Sequence, residues 1–213
     1  MREISVFDII GPIMIGPSSS HTAGALRIAQ TARKIAGGNV KAVTFRLYGS
    51  FAKTYAGHGT DRALVAGMLG FDTGDYRIRD SFRLAKEAGL DYHFDICEEN
   101  MPELHPNTVD ITMTGENGEI TSVRGCSVGG GNIKIVMINS VAIEFTGEYN
   151  ALFISQYDKP GVLADICSVL EEKGTNAYSV IEIDGSADES VIERLRRLDN
   201  IRSVKYLTAE AEK

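Results

Sequence analysis

Three serines, a histidine and a threonine lie side by side early in the chain, in the segment GPSSSHT at residues 16–22. Residues 23–36 follow with apolar residues at helical spacing, and a pair of glycines stops the predicted helix. The first turn of such a helix has free N–H groups and the positive end of the helix dipole. Hydroxyls at this place either cap the helix or bind a carboxylate or phosphate together with it. The hydroxyls in question belong to Ser18, Ser19, Ser20 and Thr22.

Two histidines have neighbours in the sequence that suit a role in proton transfer. His21 closes the serine run, and a titratable group beside an anion site is what acid–base chemistry needs. His58 lies between Gly57 and Gly59 in the segment GHGTD at residues 57–61. Each histidine taken alone is more typical of a surface or core position than of a catalytic one.

Composition restricts the classes of protein to consider. A chain of 213 residues, 43% hydrophobic and 24% charged, has the composition of a globular protein with one large domain or two modest ones. The net charge of -7 argues against nucleic acid as a partner. We find no apolar run long enough to cross a bilayer and no signal peptide, so we expect a cytoplasmic protein without a membrane partner.

The cysteines predict neither disulfides nor a metal site. Cys97, Cys126 and Cys167 are odd in number and widely separated, so no ligand set for zinc or an iron–sulfur cluster can be read from them. Buried or incidental thiols are the plain interpretation.

The pattern beyond the first helix is mixed α and β. Alternating residues predict strands at 40–48, 92–96, 109–114, 119–125, 133–138 and 141–145, with short helices at 49–55, 60–69 and 80–88. We expect Thr60 or Asp61 to cap the helix that ends near 69. The glycine run at 129–131 brings backbone close to a ligand or bends a sheet; the bend is the more ordinary of the two.

After residue 147 the pattern changes to a small module. Strands are predicted at 151–155, 177–183 and 204–207, and helices at 158–172 and 189–198. We therefore predict an α+β protein with two domains, at residues 1–147 and 148–213.

Six motifs in order resemble the β subunit of the iron–sulfur-dependent L-serine dehydratase family. They are SVFDIIGP (5–12), GPSSSHT (16–22), LYGS (47–50), GHGTD (57–61), HPNTV (105–109) and VGGG (128–131). The first domain of that family is similar to the allosteric substrate-binding domain of some phosphoglycerate dehydrogenases. The family implies β-elimination of L-serine to pyruvate and ammonia. It also implies a [4Fe-4S] cluster, one iron of which binds the substrate hydroxyl as a Lewis acid. In this family the cluster cysteines lie on a separate α subunit or on a fused α domain, so the resemblance implies an α-subunit partner and no metal ligand on this chain.

The resemblance also implies roles for individual residues. We expect His58 to transfer the proton and His21 to orient the substrate or act as the second acid–base group, although the two roles could be exchanged. The flanking Gly57 and Gly59 would let the substrate approach the backbone. The substrate carboxylate would bind Ser18, Ser19, Ser20 and Thr22, while Thr60 and Asp61 would support His58 or the substrate ammonium.

The second domain resembles an ACT domain, a ferredoxin-like module that commonly binds amino-acid effectors. The signature is DKPGVLADI at 158–166 after a strand. Only one strand fits between 174 and 189, where an ACT domain has two, so the module is shortened. We expect no effector binding, or weak binding, with homodimerisation as the surviving role. Residues that would contact an effector are Pro160, Gly161, Val162 and Leu163.

A regulatory subunit is the competing hypothesis. In that case residues 18–22 hold a regulatory anion and neither histidine does chemistry. A nucleotide-binding protein is less well supported, because the chain has no glycine-rich phosphate-binding fingerprint.

Overall fold

The computed structural model describes residues 13–37, 39–147, 150–157, 176–183, 186–199 and 201–207. Two compact units make up the chain, Met1–Thr146 and Gly147–Lys213. Each unit has its own β-sheet. The mixed α+β class predicted from the sequence is thus confirmed. The similarity of the first unit to an allosteric substrate-binding domain and of the second to an ACT domain stays a prediction.

A six-stranded mixed sheet forms the frame of the first unit. Its strands are β1 Val40–Leu47, β2 Asp91–Ile96, β3 Thr108–Gly115, β4 Ile120–Gly129, β5 Asn132–Ile138 and β6 Val141–Phe145. They lie in the order β2-β1-β3-β4-β5-β6, and only the pair β1–β2 is parallel. All six were predicted, with ends shifted by a few residues.

The helices of this unit follow the serine run and fill the connection between the two parallel strands. A π-helical turn at Ser19–Gly24 leads into α1 Ala25–Ala36, and α2 Gly49–Thr54, α3 Thr60–Met68, a 3₁₀ turn Tyr76–Asp80 and α4 Ser81–Glu87 come later. A parallel strand pair needs such a long crossover, because its two strands run in the same direction.

Alternation along the strands decides which face the helices cover. Val43, Phe45 and Leu47 of β1 are buried, while Arg46 between them is exposed. Helix α1 lies across the middle of the sheet, and Ile28 sits so close to Gly125 of β4 that a Cβ there would come within 2.6 Å of its Cγ2. Burial of these apolar side chains holds the helical layer against the sheet.

The opposite face of the sheet carries paired charges. Register places Asp95, Arg46, Asp110 and Arg124 in one row across β2, β1, β3 and β4. Arg124 Nε donates to Asp110 Oδ1 at 2.6 Å. Arg46 Nη1 lies 3.6 Å from Asp95 Oδ2. Opposite charges on neighbouring strands stabilise the sheet modestly and keep this face polar.

The glycine run at 129–131 is a bend in the sheet. Gly130 and Gly131 form a two-residue hairpin turn, and the register of β4 shifts between Ser127 and Gly129. The predicted end of this strand at residue 125 is wrong, because β4 continues through Ser127 and Val128 to Gly129 across the shift in register.

The second unit contains a three-stranded sheet. Strands β7 Asn150–Tyr157, β8 Asn176–Ile183 and β9 Ile201–Leu207 lie in the order β8-β7-β9, with both neighbours antiparallel to β7. Helix α5, Glu189–Arg196, buries Ile192 against Ile154 and Val204. The predicted strands and this helix are confirmed.

Other predictions for this unit fall outside the described residues. These concern the helix expected at 158–172, Cys167, and the effector contacts Pro160, Gly161, Val162 and Leu163. Among the described helices, none has the length and apolar character needed to cross a bilayer.

Candidate active site

The serine run is part of the helix rather than its approach. The sequence predicts a helix from residue 23, but a π-helical turn already begins at Ser19. Ser18 is the cap: its Oγ accepts a hydrogen bond from the His21 backbone N–H at 3.3 Å. Ser19 and Ser20, both half-buried, therefore lie in the first turn. Single π-helical turns are rare and often occur at functional sites.

The structure brings the two predicted histidines together. Their ring centroids lie 4.9 Å apart with the rings tilted by 52°. His58 follows α2, and its backbone N–H donates to the Thr54 carbonyl at 3.0 Å. Thr22 Oγ1 donates to the His58 carbonyl at 3.3 Å, so a hydroxyl of the π-helical turn holds the second histidine loop. Segments 36 residues apart thus form one site.

The surroundings of the two imidazole rings differ. The ring of His21 has a hydroxyl at each nitrogen, Ser18 Oγ at 3.4 Å from Nδ1 and Ser50 Oγ at 3.1 Å from Nε2. The edge of Phe51 packs 5.2 Å from the same ring. His58 Nδ1, by contrast, is buried without a hydrogen-bond partner among the described residues.

Burial lowers the pKa of His21, and the neighbouring His58 ring lowers it further. Desolvation disfavours the charged imidazolium, and a second imidazole nearby makes two positive charges costly. The neutral form of His21, with one N–H and one unprotonated ring nitrogen, is therefore favoured.

The remaining predicted site residues occupy three kinds of position. Thr22 is buried, with its hydroxyl engaged by His58 as described above. Thr60 is fully buried, and its Oγ1 has no partner among the described residues. Gly57 is exposed and Gly59 half-buried, one on each side of His58.

The predicted capping of α3 by Thr60 or Asp61 is wrong. Gly59 occupies the N-cap position and has no side chain to bind the first turn, so the helix starts one residue earlier than capping by Thr60 would require. Asp61 Oδ1 instead accepts from the Arg62 backbone N–H at 2.7 Å. Burial raises the pKa of the Asp61 carboxyl above its usual range.

His93 and His105 do not join the pair. His93 is exposed on β2, and His105 is exposed in the turn before β3, where its Nδ1 accepts from the Asn107 backbone N–H at 3.2 Å. Residues 106 and 107 form a turn directly before β3.

Ser50 is the functional candidate that sequence reasoning missed. It belongs to the LYGS motif, but 29 residues separate it from His21. The only signal in the sequence was a hydroxyl directly after a strand and a glycine, which is ordinary helix-start chemistry.

The described residues do not fit an iron–sulfur cluster. They contain no group of three or more histidine, cysteine, aspartate or glutamate side chains able to hold a metal ion. Cys97 and Cys126 are buried free thiols, and burial raises the pKa of the Cys126 thiol, which disfavours the thiolate that a metal needs.

Comparison with known proteins finds serine dehydratases throughout. The family model described as "Serine dehydratase beta chain" matches residues 5–136, more than half of the chain. The chain is 44% identical to the L-serine dehydratase beta chain of Peptoniphilus asaccharolyticus, over 97% of this chain and 99% of that one. It is 41% identical to the probable L-serine dehydratase beta chain of Bacillus subtilis strain 168, over 96% and 98%. L-serine dehydratase 2 of Escherichia coli K12 is 36% identical, over 61% of this chain but only 33% of the relative.

Proposed function

The chain belongs to the serine dehydratase beta chain family, and we propose that it is the substrate-binding half of an L-serine dehydratase. The reaction removes the Cα proton and the β-hydroxyl of L-serine. The resulting enamine rearranges to an imine, and water hydrolyses the imine to pyruvate and ammonia. The observation that carries the proposal is the contact between the rings of His21 and His58 beside the half-buried serines.

His58 is the better candidate for the group that takes the proton from Cα. Both ring nitrogens of His21 lie near serine hydroxyls, whereas the buried Nδ1 of His58 has no hydrogen-bond partner among the described residues. Because Nδ1 is buried, the nitrogen that would accept the substrate proton is Nε2 of His58. His21 then orients the substrate or the neighbouring ring. Because the Cα proton is weakly acidic, placement of the base matters more than its strength.

The first turn of the serine helix is the proposed carboxylate site. Hydroxyls of Ser19 and Ser20, together with the N–H groups of the turn, suit a substrate carboxylate. Ser18 contributes through its cap of the turn. Thr22 acts differently from the prediction, because its hydroxyl is engaged by the His58 carbonyl; we assign it to positioning His58.

Residues next to His58 complete the proposed site. Gly57 and Gly59 leave the backbone on both sides of the histidine open to a ligand. The half-buried Asp61 carboxylate could be paired by the substrate ammonium, which would offset the cost of its burial. Buried Thr60 supports this loop from within.

A partner α subunit is part of the proposal. Two thirds of the length of the Escherichia coli relative lies outside the match to this chain, and we propose that a separate α subunit supplies the corresponding part. Since the described residues do not fit a [4Fe-4S] cluster, the proposal places the ligands of that cluster on the α subunit.

We also propose a role for the second unit and a cellular location for the protein. A sheet in the order β8-β7-β9 with α5 on one side agrees with a shortened ACT-like module, and we propose that it promotes homodimerisation. Sedimentation velocity of the full chain tests this, and a monomer at all concentrations would contradict it. Free buried thiols at Cys97 and Cys126 agree with a reducing, cytoplasmic location.

The decisive experiment is reconstitution. The full chain is combined without oxygen with a purified α subunit that carries its cluster, and pyruvate formation from L-serine is followed. His58→Ala should lower kcat by about a thousandfold, as loss of a general base does. It should leave the association of the two subunits intact. His93→Ala, a change at an exposed histidine of the same unit, is the matched control and should leave kcat unchanged. Near-normal turnover of His58→Ala would instead favour the regulatory-subunit hypothesis.

A further inference from the structure

Ser50 contacts His21 from a third segment of the chain. Its Oγ lies 3.1 Å from His21 Nε2, while Ser18 Oγ lies 3.4 Å from His21 Nδ1. A hydroxyl on each side leaves the imidazole few orientations. The edge of Phe51, the residue after Ser50, closes a further side of the ring.

The position of Ser50 is set by the turn before β3. The Pro106 carbonyl accepts hydrogen bonds from the backbone N–H groups of Ser50 at 2.6 Å and Phe51 at 3.3 Å. Gly49 makes this approach feasible: its φ is +52°, and a Cβ there would lie 2.7 Å from the Pro106 oxygen and 2.9 Å from its Cα. Any other residue at 49 would be strained in φ and would push Ser50 away from Pro106.

The hydrogen bonds of Ser18 are suited to one of the two tautomers of His21. Ser18 Oγ already accepts from the His21 backbone N–H, and its own O–H is left to donate to Nδ1. With Nδ1 as acceptor, a neutral imidazole carries its hydrogen on Nε2, and that N–H points at Ser50 Oγ.

We propose that Ser50 is a positioning residue that accepts the Nε2–H of His21 and holds its ring in one orientation and one tautomer. Its importance for catalysis rests on the proposed function, whereas the tautomer is a property of this chain alone. In this arrangement His21 has no free nitrogen for the substrate, and the proton transfer falls to His58. The O–H of Ser50, which the bond to His21 does not use, is left to donate to a ligand.

Nitrogen-15 NMR of the full chain, labelled at histidine, tests the tautomer without α subunit or iron. The His21 signals are assigned by their loss in His21→Gln. The wild type should show a single tautomer with hydrogen on Nε2, and Ser50→Ala should show a mixture of both. Ser81→Ala is the matched control, because Ser81 also begins a short helix, is fully buried and has no hydrogen-bond partner for its hydroxyl among the described residues. It should leave the His21 signals unchanged.

A second variant moves the Ser50 hydroxyl without removing it. Gly49→Ala should reproduce the mixed tautomer of Ser50→Ala, because the new Cβ would collide with the Pro106 backbone. Circular dichroism and unfolding midpoints confirm that each variant is folded. A wild type with hydrogen on Nδ1, or a Ser50→Ala spectrum identical to that of the wild type, would overturn the proposal.

The activity assay separates this inference from the proposed function. With the reconstituted α subunit, Ser50→Ala should lower kcat by about ten- to a hundredfold, the scale expected when a catalytic group is displaced by a fraction of an ångström or more. Ser81→Ala should retain wild-type kcat. If the wild-type complex forms no pyruvate, the proposed function fails while the NMR result still decides the role of Ser50. Full kcat in Ser50→Ala alongside an active wild type would overturn the catalytic part of the inference.

Discussion

Replacing Thr22 by valine should loosen the link between the two histidine loops while leaving the core filled. Thr22 is 2% exposed, and its Oγ1 donates to the His58 carbonyl at 3.3 Å. Valine has nearly the same shape but no hydroxyl, so it removes this bond and leaves the carbonyl without its donor. The backbone of His58 then has one restraint fewer, although its N–H still donates to the Thr54 carbonyl.

The size of the effect follows from the geometry. A neutral hydrogen bond contributes about 0.5–1.5 kcal/mol net, and 3.3 Å is long for an O–H donor, so we expect a loss of about 1 kcal/mol in the free energy of unfolding. Catalysis should suffer more. A displacement of the base by about 1 Å can cost about a hundredfold in rate. Removing about 1 kcal/mol from a typical stability of about 5–15 kcal/mol leaves nearly all of the enzyme folded, so the stability loss by itself should leave kcat almost unchanged.

Urea unfolding and pyruvate formation by the reconstituted enzyme measure the two effects in parallel. Thr22→Ser keeps the hydroxyl and should recover most of the turnover, even though it loses the methyl group that packs on Gly16. Thr73→Val is the matched control: it removes another long-range bond from a threonine to a carbonyl, that of Ile13 at 2.9 Å, away from both histidines. If Thr22→Val lowers the urea midpoint but turns over serine as fast as the wild type, Thr22 has only a structural role and the positioning argument is refuted.

Three further predictions concern stability and ionisation. Burial, and then the neighbouring His58, lower the pKa of His21 in the folded state. Its contribution to stability should therefore be complete above the unfolded pKa of about 6.5 and be lost as the pH falls through the lower folded pKa. On acidification, the urea midpoint should decrease less steeply in His21→Gln than in the wild type. Burial, and then the hydrogen bond to Asp110, raise the pKa of Tyr48 to about 12. Asp110→Asn should therefore bring the ultraviolet titration of Tyr48 closer to pH 10. An unchanged titration would contradict the role of Asp110. Gly24→Ala should lower the free energy of unfolding by about 1–3 kcal/mol, because the new methyl group would collide with the Ser127 hydroxyl in a packed core. Thermal or urea unfolding measures this loss. A variant as stable as the wild type would show that the side chain of Ser127 moves aside at no cost.

Local patterns were sufficient for most of the secondary structure. The alternation in β1, with Val43, Phe45 and Leu47 inward, follows from the period of two that any half-buried strand has. The hairpin between β3 and β4 was equally readable, because turn residues at 115–118 separate two alternating runs. The family could also be identified from the sequence, since six short motifs occur in order along the chain.

Local patterns were misleading where backbone geometry was unusual. No sequence rule distinguishes a serine run before a helix from one inside a π-helical turn, because both place hydroxyls near free N–H groups. The strand predicted at 119–125 was expected to end at Gly125, yet β4 continues across a bulge to Gly129. In both cases packing of the segment against its neighbours decides the backbone conformation.

Most of the helices and strands, the family and the residue types able to do the chemistry could be read from the sequence. Three-dimensional packing was needed to find that the ring of His21 is held between Ser18 and Ser50 and that Thr22 holds the loop of His58. It also leaves Nδ1 of His58 without a hydrogen-bond partner among the described residues. The physical reason is distance along the chain. Periodicity and capping act over a few residues, whereas the contacts of His21 with Ser50 and of Thr22 with His58 join segments 29 and 36 residues apart.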